Sequence, residues 1–227
     1  MTYYKFLMND GVPKYGTGKW SLPTTTEPGA WMPIVKEIKL CASGYHFCAN
    51  ESQLRQWIAP KCYEIEVRGN VLHDNEKSVA QEARLIREYT NWNEHAMRLF
   101  ACDCAERVLH IYEAKYPSDK RVRNCIEGAR DYANGKIPIE KIRELRAAAV
   151  TAYAATAYAA AAAAGAAAHA AYAAHAAHTV YAAHTAYAAA AYAADADATY
   201  ADAADVRQKE KDWQNQRILQ YLNGEIV

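Results

Sequence analysis

The sequence predicts an α+β protein: a small β-rich N-terminal module over residues 1–90, then a mainly antiparallel, Ala-rich helical bundle over 91–227. Three observations carry this. Gly and Pro punctuate the early chain at Gly11, Pro13, Gly16, Gly18, Pro23, Pro28, Gly29 and Pro33, which marks turns rather than helices. From Asn93 to Arg146 the chain carries successive helix-start and helix-stop signals. Between Ala147 and Ala204, 36 of 58 residues are alanine, the best helix former.

The elements follow in order. Ile34–Leu40, Cys62–Val67 and Asn70–His73 are strand-like runs. In Cys62–Val67, Tyr63, Ile65 and Val67 alternate with Glu64 and Glu66, the period of a half-buried strand. Gly69 is expected to turn the chain. Glu51–Ile58 reads as a short helix ended by Pro60. Ala83–Tyr89 reads either as a last strand or as the approach to the next helix.

Asn93 is a suitable N-cap for a helix running to about Lys115, with Leu99, Val108, Leu109 and Tyr112 among its apolar positions. Pro117 stops it. Ser118 or Asp119 caps a second helix that ends at Asn134-Gly135, a left-handed terminus. Pro138 opens a third helix that continues into the alanine tract. A final helix, capped near Asp195 or Asp197, ends at Asn223-Gly224 and carries Val206, Trp213, Ile218, Tyr221 and Leu222.

Composition narrows the function classes. The formal net charge is zero, so nothing global argues for DNA or an anionic membrane. MTYYKFLMNDG has no apolar run of a signal peptide. The six cysteines then read as reduced thiols of a cytoplasmic protein. No charged residue occurs from Ala147 through Ala194. Alanine nevertheless contributes little transfer energy and the tract contains His169, His175, His178 and His184, so a membrane span is not expected.

The motifs give binding more support than catalysis. Cys41, His46, Cys48 and Cys62 have no compact zinc-finger spacing and read as structural thiols with a histidine. Cys102 and Cys104 fall on different helix faces and read as core packing. An enzyme reading would use His46 with Glu64 or Glu66 and Arg84 or Arg87. No phosphate-cradling loop or nucleophile signature is present. No catalytic residue, cofactor or metal is therefore assigned.

His169, Tyr172, His175, His178, Tyr181, His184 and Tyr187 recur every third residue. Each step rotates by roughly 300° on an α-helix, so the series winds around the helix rather than forming a stripe. Such a helix needs neighbours on several sides. The rings serve either as packing fillers or as the walls of a ligand pocket. Phosphates in such a pocket would need cations from outside the tract. Arg121 and Arg123 are the candidates, beside Lys120, Arg130 and Lys136.

Two resemblances add to this reading. LCASGYHFCAN (40–50) and YEIEVRGNVLHDNEKSVAQEARLIREY (63–89) resemble a small domain of unknown function found in phage and bacterial proteins. RLFACDCAERVLHIYEAKYP (98–117), the following DKRVRNCIEGARDYANG, and Trp213-Gln214, Arg217 and Tyr221–Gly224 resemble bacterial immunity proteins of the immunity-5-like type. The second resemblance implies a protein that binds and neutralises something. It brings no catalytic residues with it.

The expected function is therefore non-catalytic binding by a phage or bacterial protein of the immunity or counter-defence type. It would neutralise or sequester a partner protein or a small nucleotide-like immune signal, as a homo-oligomer. The alternatives are an enzyme acting through His46 and a self-assembling structural protein covered on its alanine faces by other subunits.

Overall fold

In the N-terminal part, backbone pairing is set by alternation. β1 (Tyr3–Leu7), β2 (Tyr45–Phe47), β3 (Lys61–His73) and β4 (Ser78–Glu88) form one antiparallel sheet in the order β1-β3-β4-β2. The computed structural model describes residues 2–155, 162, 163, 165, 167–169 and 200–226. Tyr4 and Cys48 exchange backbone hydrogen bonds of 2.9 and 2.8 Å. The free edge of β1 thus meets the residue following β2, and the sheet curls toward closure. That removes an exposed edge from each outer strand.

One face of the sheet buries Leu7, Trp20, Phe47, Tyr63, Ile65, Ala80, Ala83 and Leu85. Glu64 and Glu66 point away from it, where cross-strand pairs with Arg87 and Arg84 form at 2.7 Å. The run at 83–89 resolves as strand, since β4 extends from Ser78 to Glu88. A 3₁₀ turn (Glu51–Gln53), in which the Asn50 side chain accepts from the Ser52 N–H, leads into α1 (Leu54–Trp57).

Two local expectations are corrected. Gly69 does not turn the chain, because β3 continues through it to His73. It sits at φ +78° where the register shifts between Arg68 and Val71, and Gln81 Oε1 accepts the displaced Asn70 N–H at 2.9 Å. A glycine suits a bulge as well as a turn, since both need the left-handed region. The turn comes at Asp74–Lys77, where Asp74 Oδ1 accepts from the Glu76 and Lys77 N–H groups. Ile34–Leu40 is not a strand. Within residues 29–40 the backbone donors to β4 are Gly29, Met32 and Val35, at Leu85, Ala83 and Gln81. Three residues of this segment therefore span two of β4, and Pro33 has no N–H to offer.

After the sheet, helices whose bounds are described are α2 (Glu94–Lys115), α3 (Arg121–Ala133), α4 (Ile139–Ala154) and α5 (Tyr200–Asn223). Asp119 Oδ1 accepts the Arg121 N–H at 3.0 Å at the start of α3. Gly135, at φ +70°, follows its end, and Pro138 precedes α4. Antiparallel packing follows from which charges meet. Arg123 pairs with Glu113 and Arg130 with Asp103, so α3 descends along α2. Arg107 pairs with Glu210 and Asp103 with Arg217, so α5 does the same. The protein is α+β, with an antiparallel sheet followed by helices. Among the described residues, no helix is long and apolar enough to cross a membrane.

The chain packs as two units, Met1–Asn93 with Ile218–Val227, and Glu94–Arg217. In the first, Trp92 is fully buried, its indole N–H donating to the Ala59 carbonyl at 2.9 Å. Tyr221 lies edge-on to it at 6.4 Å. In the second, α2 is buried on several faces, including Met97, Phe100, Cys102, Cys104, Val108 and Tyr112.

Candidate functional site

The residues singled out in the helical unit divide into two groups. Arg121 donates to Asp119 through Nε and Nη2, and Arg123 to Glu113 at 2.7 and 2.6 Å. Lys120, Arg130 and Lys136 also face carboxylates, of Glu113, Asp103 with Glu106, and Asp131. His169 is half-buried in a helical stretch, and burial, then Arg146, holds its imidazole below the usual range. Tyr172, His175, His178, Tyr181, His184 and Tyr187 lie outside the described residues.

The constellation imagined around His46 is arranged differently. Glu64 and Glu66 are taken up by Arg87 and Arg84. The charges acting on His46 are Lys5, Lys77 and Asp74. Burial first, then Lys5, holds the imidazole below its ordinary range. His46 Nε2 accepts the Cys41 N–H at 2.9 Å, which fixes a neutral ring with its proton on Nδ1. Cys41 reaches this position with φ +64°, in the left-handed region.

Of the cysteines, Cys41 is exposed, whereas Cys48, Cys62, Cys102, Cys104 and Cys125 are buried. Burial pushes the Cys48 and Cys102 thiols up to about 12, so they remain protonated packing groups. Among the described residues, no three His, Cys, Asp or Glu side chains are grouped to hold a metal.

His46 lies in the wall of a cleft of about 570 Å³ inside the N-terminal unit. Six separate stretches build it: β1, the 13–20 loop, Met32, the 41–46 segment, Trp57 of α1 and Lys77 before β4. Gly44 is required here. Its φ is +106°, and a Cβ would meet Val79, Ile38 and the Ala80 carbonyl within 3.0 Å. Lys5 Nζ donates to the His46 carbonyl at 2.6 Å and lies 5.2 Å from the Trp20 ring centre. Tyr45 is edge-on to Trp20 at 5.4 Å. Lys77 lies 5.8 Å from the Trp57 ring, with Tyr15 edge-on to Trp57 at 6.0 Å.

Burial lowers the Lys5 ammonium to about 8. The Cys41 thiol, ahead of Asp74 and Glu76, raises that of Lys77. Lys5, Lys14 and Lys77 line the cleft, and no carboxylate is among its lining residues. Such a surface attracts negative charge. Sequence reasoning found His46 but missed the lysines and tryptophans. Their only sequence signal is an aromatic–basic interleaving (Lys14-Tyr15, Lys19-Trp20).

In comparisons with known proteins, the family model described as "Imm-5 like putative immunity protein" matches residues 87–221. No curated protein and no solved structure matches the chain.

Proposed function

The chain belongs to the Imm-5 like immunity protein family, and from that premise we propose that it acts by binding rather than catalysis. It serves as an immunity-type or counter-defence protein of a phage or bacterial cytoplasm. It neutralises or sequesters a partner, either a protein or a small nucleotide-like immune signal. The observation that carries this reading is the family match itself, which takes in α2, α3 and α4 and most of α5.

The construction of the helical unit supports it. Salt bridges between helices, Arg123–Glu113, Arg130–Asp103, Arg107–Glu210 and Arg217–Asp103, brace the scaffold. A braced scaffold presents a preorganised surface, which lowers the entropic cost of association. Val150 and Tyr153, 40% and 50% exposed on α4, support a homo-oligomeric form.

The test is native mass spectrometry of freshly purified full-length protein, paired with melting curves in host metabolite extracts. A retained small molecule or stoichiometric partner, or a melting temperature raised by an extract, is expected. Bare protein with an unmoved melting temperature would remove the sequestration reading. Light scattering on the same sample reads the oligomer.

A further inference from the structure

Most basic side chains of the N-terminal sheet already have an acidic partner. Lys61 pairs with Glu88, Arg68 with Glu82, Arg84 with Glu66 and Arg87 with Glu64. The cleft breaks that pattern. Among the described residues, Lys5, Lys14 and Lys77 make no ion pair within 4 Å. Lys5 is held by a carbonyl and an indole face, Lys14 lies over Tyr15, and Lys77 lies over the indole of Trp57. Asp74 and Glu76 act on Lys77 only from outside the cleft lining.

We propose that this cleft binds a small ligand in which a flat ring carries an anionic group. The ring lies against Trp57 and Tyr15, and Lys5 and Lys77 receive the charge. A nucleoside monophosphate and an aromatic carboxylate share this chemistry.

Four features converge on that ligand. The two lysines and His46 line the same cleft: Lys5 donates to the His46 carbonyl, and the charges of Lys5 and Lys77 both act on its imidazole. They therefore face one region of the wall. An ammonium drawn from water without a carboxylate is costly, and an arriving anion offsets that cost. Burial has already lowered Lys5 to about 8, and an anion would restore it. Trp57 has its indole N–H taken up by the Glu76 carbonyl at 2.9 Å, which fixes the ring. Tyr15 beside it is 64% exposed, an aromatic face left open to stacking. The volume, about 570 Å³, falls in the range of small-molecule sites.

The cleft lies in the unit before residue 94, outside most of the family match, so this inference stands apart from the immunity reading. The experiment is isothermal titration of the full-length protein at pH 7. The probes are the four ribonucleoside 5′-monophosphates, the four uncharged nucleosides, inorganic phosphate and indole-3-carboxylate. At least one ring-bearing anion is expected to bind about tenfold more tightly than phosphate and than its uncharged ring, a gap of about 1.4 kcal/mol. The stronger of the nucleotide and the carboxylate identifies the headgroup.

Lys77→Met and Tyr15→Ala alter side chains at the open rim, and melting curves verify that both variants fold. Each should weaken that binding about tenfold, whereas Lys141→Ala on α4 should leave it unchanged. Equal binding by phosphate alone or by uncharged nucleosides would overturn the proposal. So would wild-type affinity in both rim variants, or the absence of binding by every probe. A partner retained in native mass spectrometry alongside such a failure would leave the immunity reading standing.

Discussion

Asp103 of α2 and Arg217 of α5, 114 residues apart in the chain, meet at 2.7 Å inside the helical unit. The other oxygen of that carboxylate accepts from Arg130 of α3 at 2.9 Å. One carboxylate, its side chain 5% exposed, thus ties three helices. One turn along α2, the charges are reversed, and Arg107 reaches the buried Glu210 of α5 at 2.7 Å. This pairing fixes the register of α5 on α2 more sharply than alanine surfaces, which slide past one another, could do.

Asp103→Asn keeps the shape and removes the charge. Breaking a buried pair costs about 3–5 kcal/mol. Arg130 and Arg217 are about a third exposed, and water compensates part of the loss. A drop of about 2–3 kcal/mol in urea unfolding is expected. A variant as stable as the wild type would show that the node contributes nothing.

Asp119 gives a pH signature. The Arg121 guanidinium holds its carboxyl well below the usual range, helped by the Tyr112 hydroxyl, which donates at 2.6 Å. A depressed carboxylate stabilises the fold above its unfolded value, about 3.9, and loses that contribution as pH falls toward the folded value. Asp119→Asn should therefore lower stability at pH 7 by about 1 kcal/mol, since its Arg121 partner is partly exposed. The gap between variant and wild type should narrow progressively as pH falls from about 5 toward 2. Denaturation midpoints across that range provide the measurement, and a gap independent of pH would contradict it.

Lys5 has the opposite sign. Burial lowers its folded value to about 8 from 10.5, so the unfolded chain binds more protons between these limits. Stability from this group therefore rises with pH from about 8 toward 10.5. The groups around it are the His46 carbonyl and imidazole and the Cys48 thiol. Wild-type protein should gain on Lys5→Met as pH climbs through this window. Parallel stability curves for the two proteins would exclude a strained Lys5. Binding of a ring-bearing anion should fall over the same rise as the ammonium loses its proton.

A chain ending at Arg217 tests the return of α5 to the N-terminal unit. Ile218, Leu219, Tyr221 and Leu222 are each at most 8% exposed, and burial of such side chains contributes about 1.5–3 kcal/mol apiece. A domain's whole stability is about 5–15 kcal/mol. Removing residues 218–227 should therefore abolish hydrogen-exchange protection in β1, β3 and β4. Undiminished protection would show that the sheet folds without this cap.

Local chemistry alone made several features legible. The Tyr63–Val67 alternation is a strand, and Asn93, Gly135, Pro138 and Gly224 bound helices where propensity places them. Gly69 misled because a bulge and a turn ask the same of a glycine. Ile34–Leu40 misled because only Val35 of its apolar residues bonds to β4 through its backbone, and Ile34 is exposed. β1 and β2 went unseen because each has few residues and takes its structure from the strands it joins.

What the sequence by itself determined is the α+β class, the order of sheet before helices, and kinship with the Imm-5 like family, all of which rest on local pattern and residue identity. The tertiary structure alone decided which charges are neutralised and which stand open. Arg121 and Arg123 look available in the sequence but are held by Asp119 and Glu113. Lys5 and Lys77 look ordinary there but share a cleft with two tryptophans and no carboxylate. The physical reason is range. Helix and strand signals act over a few residues, whereas the fate of a charge depends on partners that pairing and burial bring from distant parts of the chain.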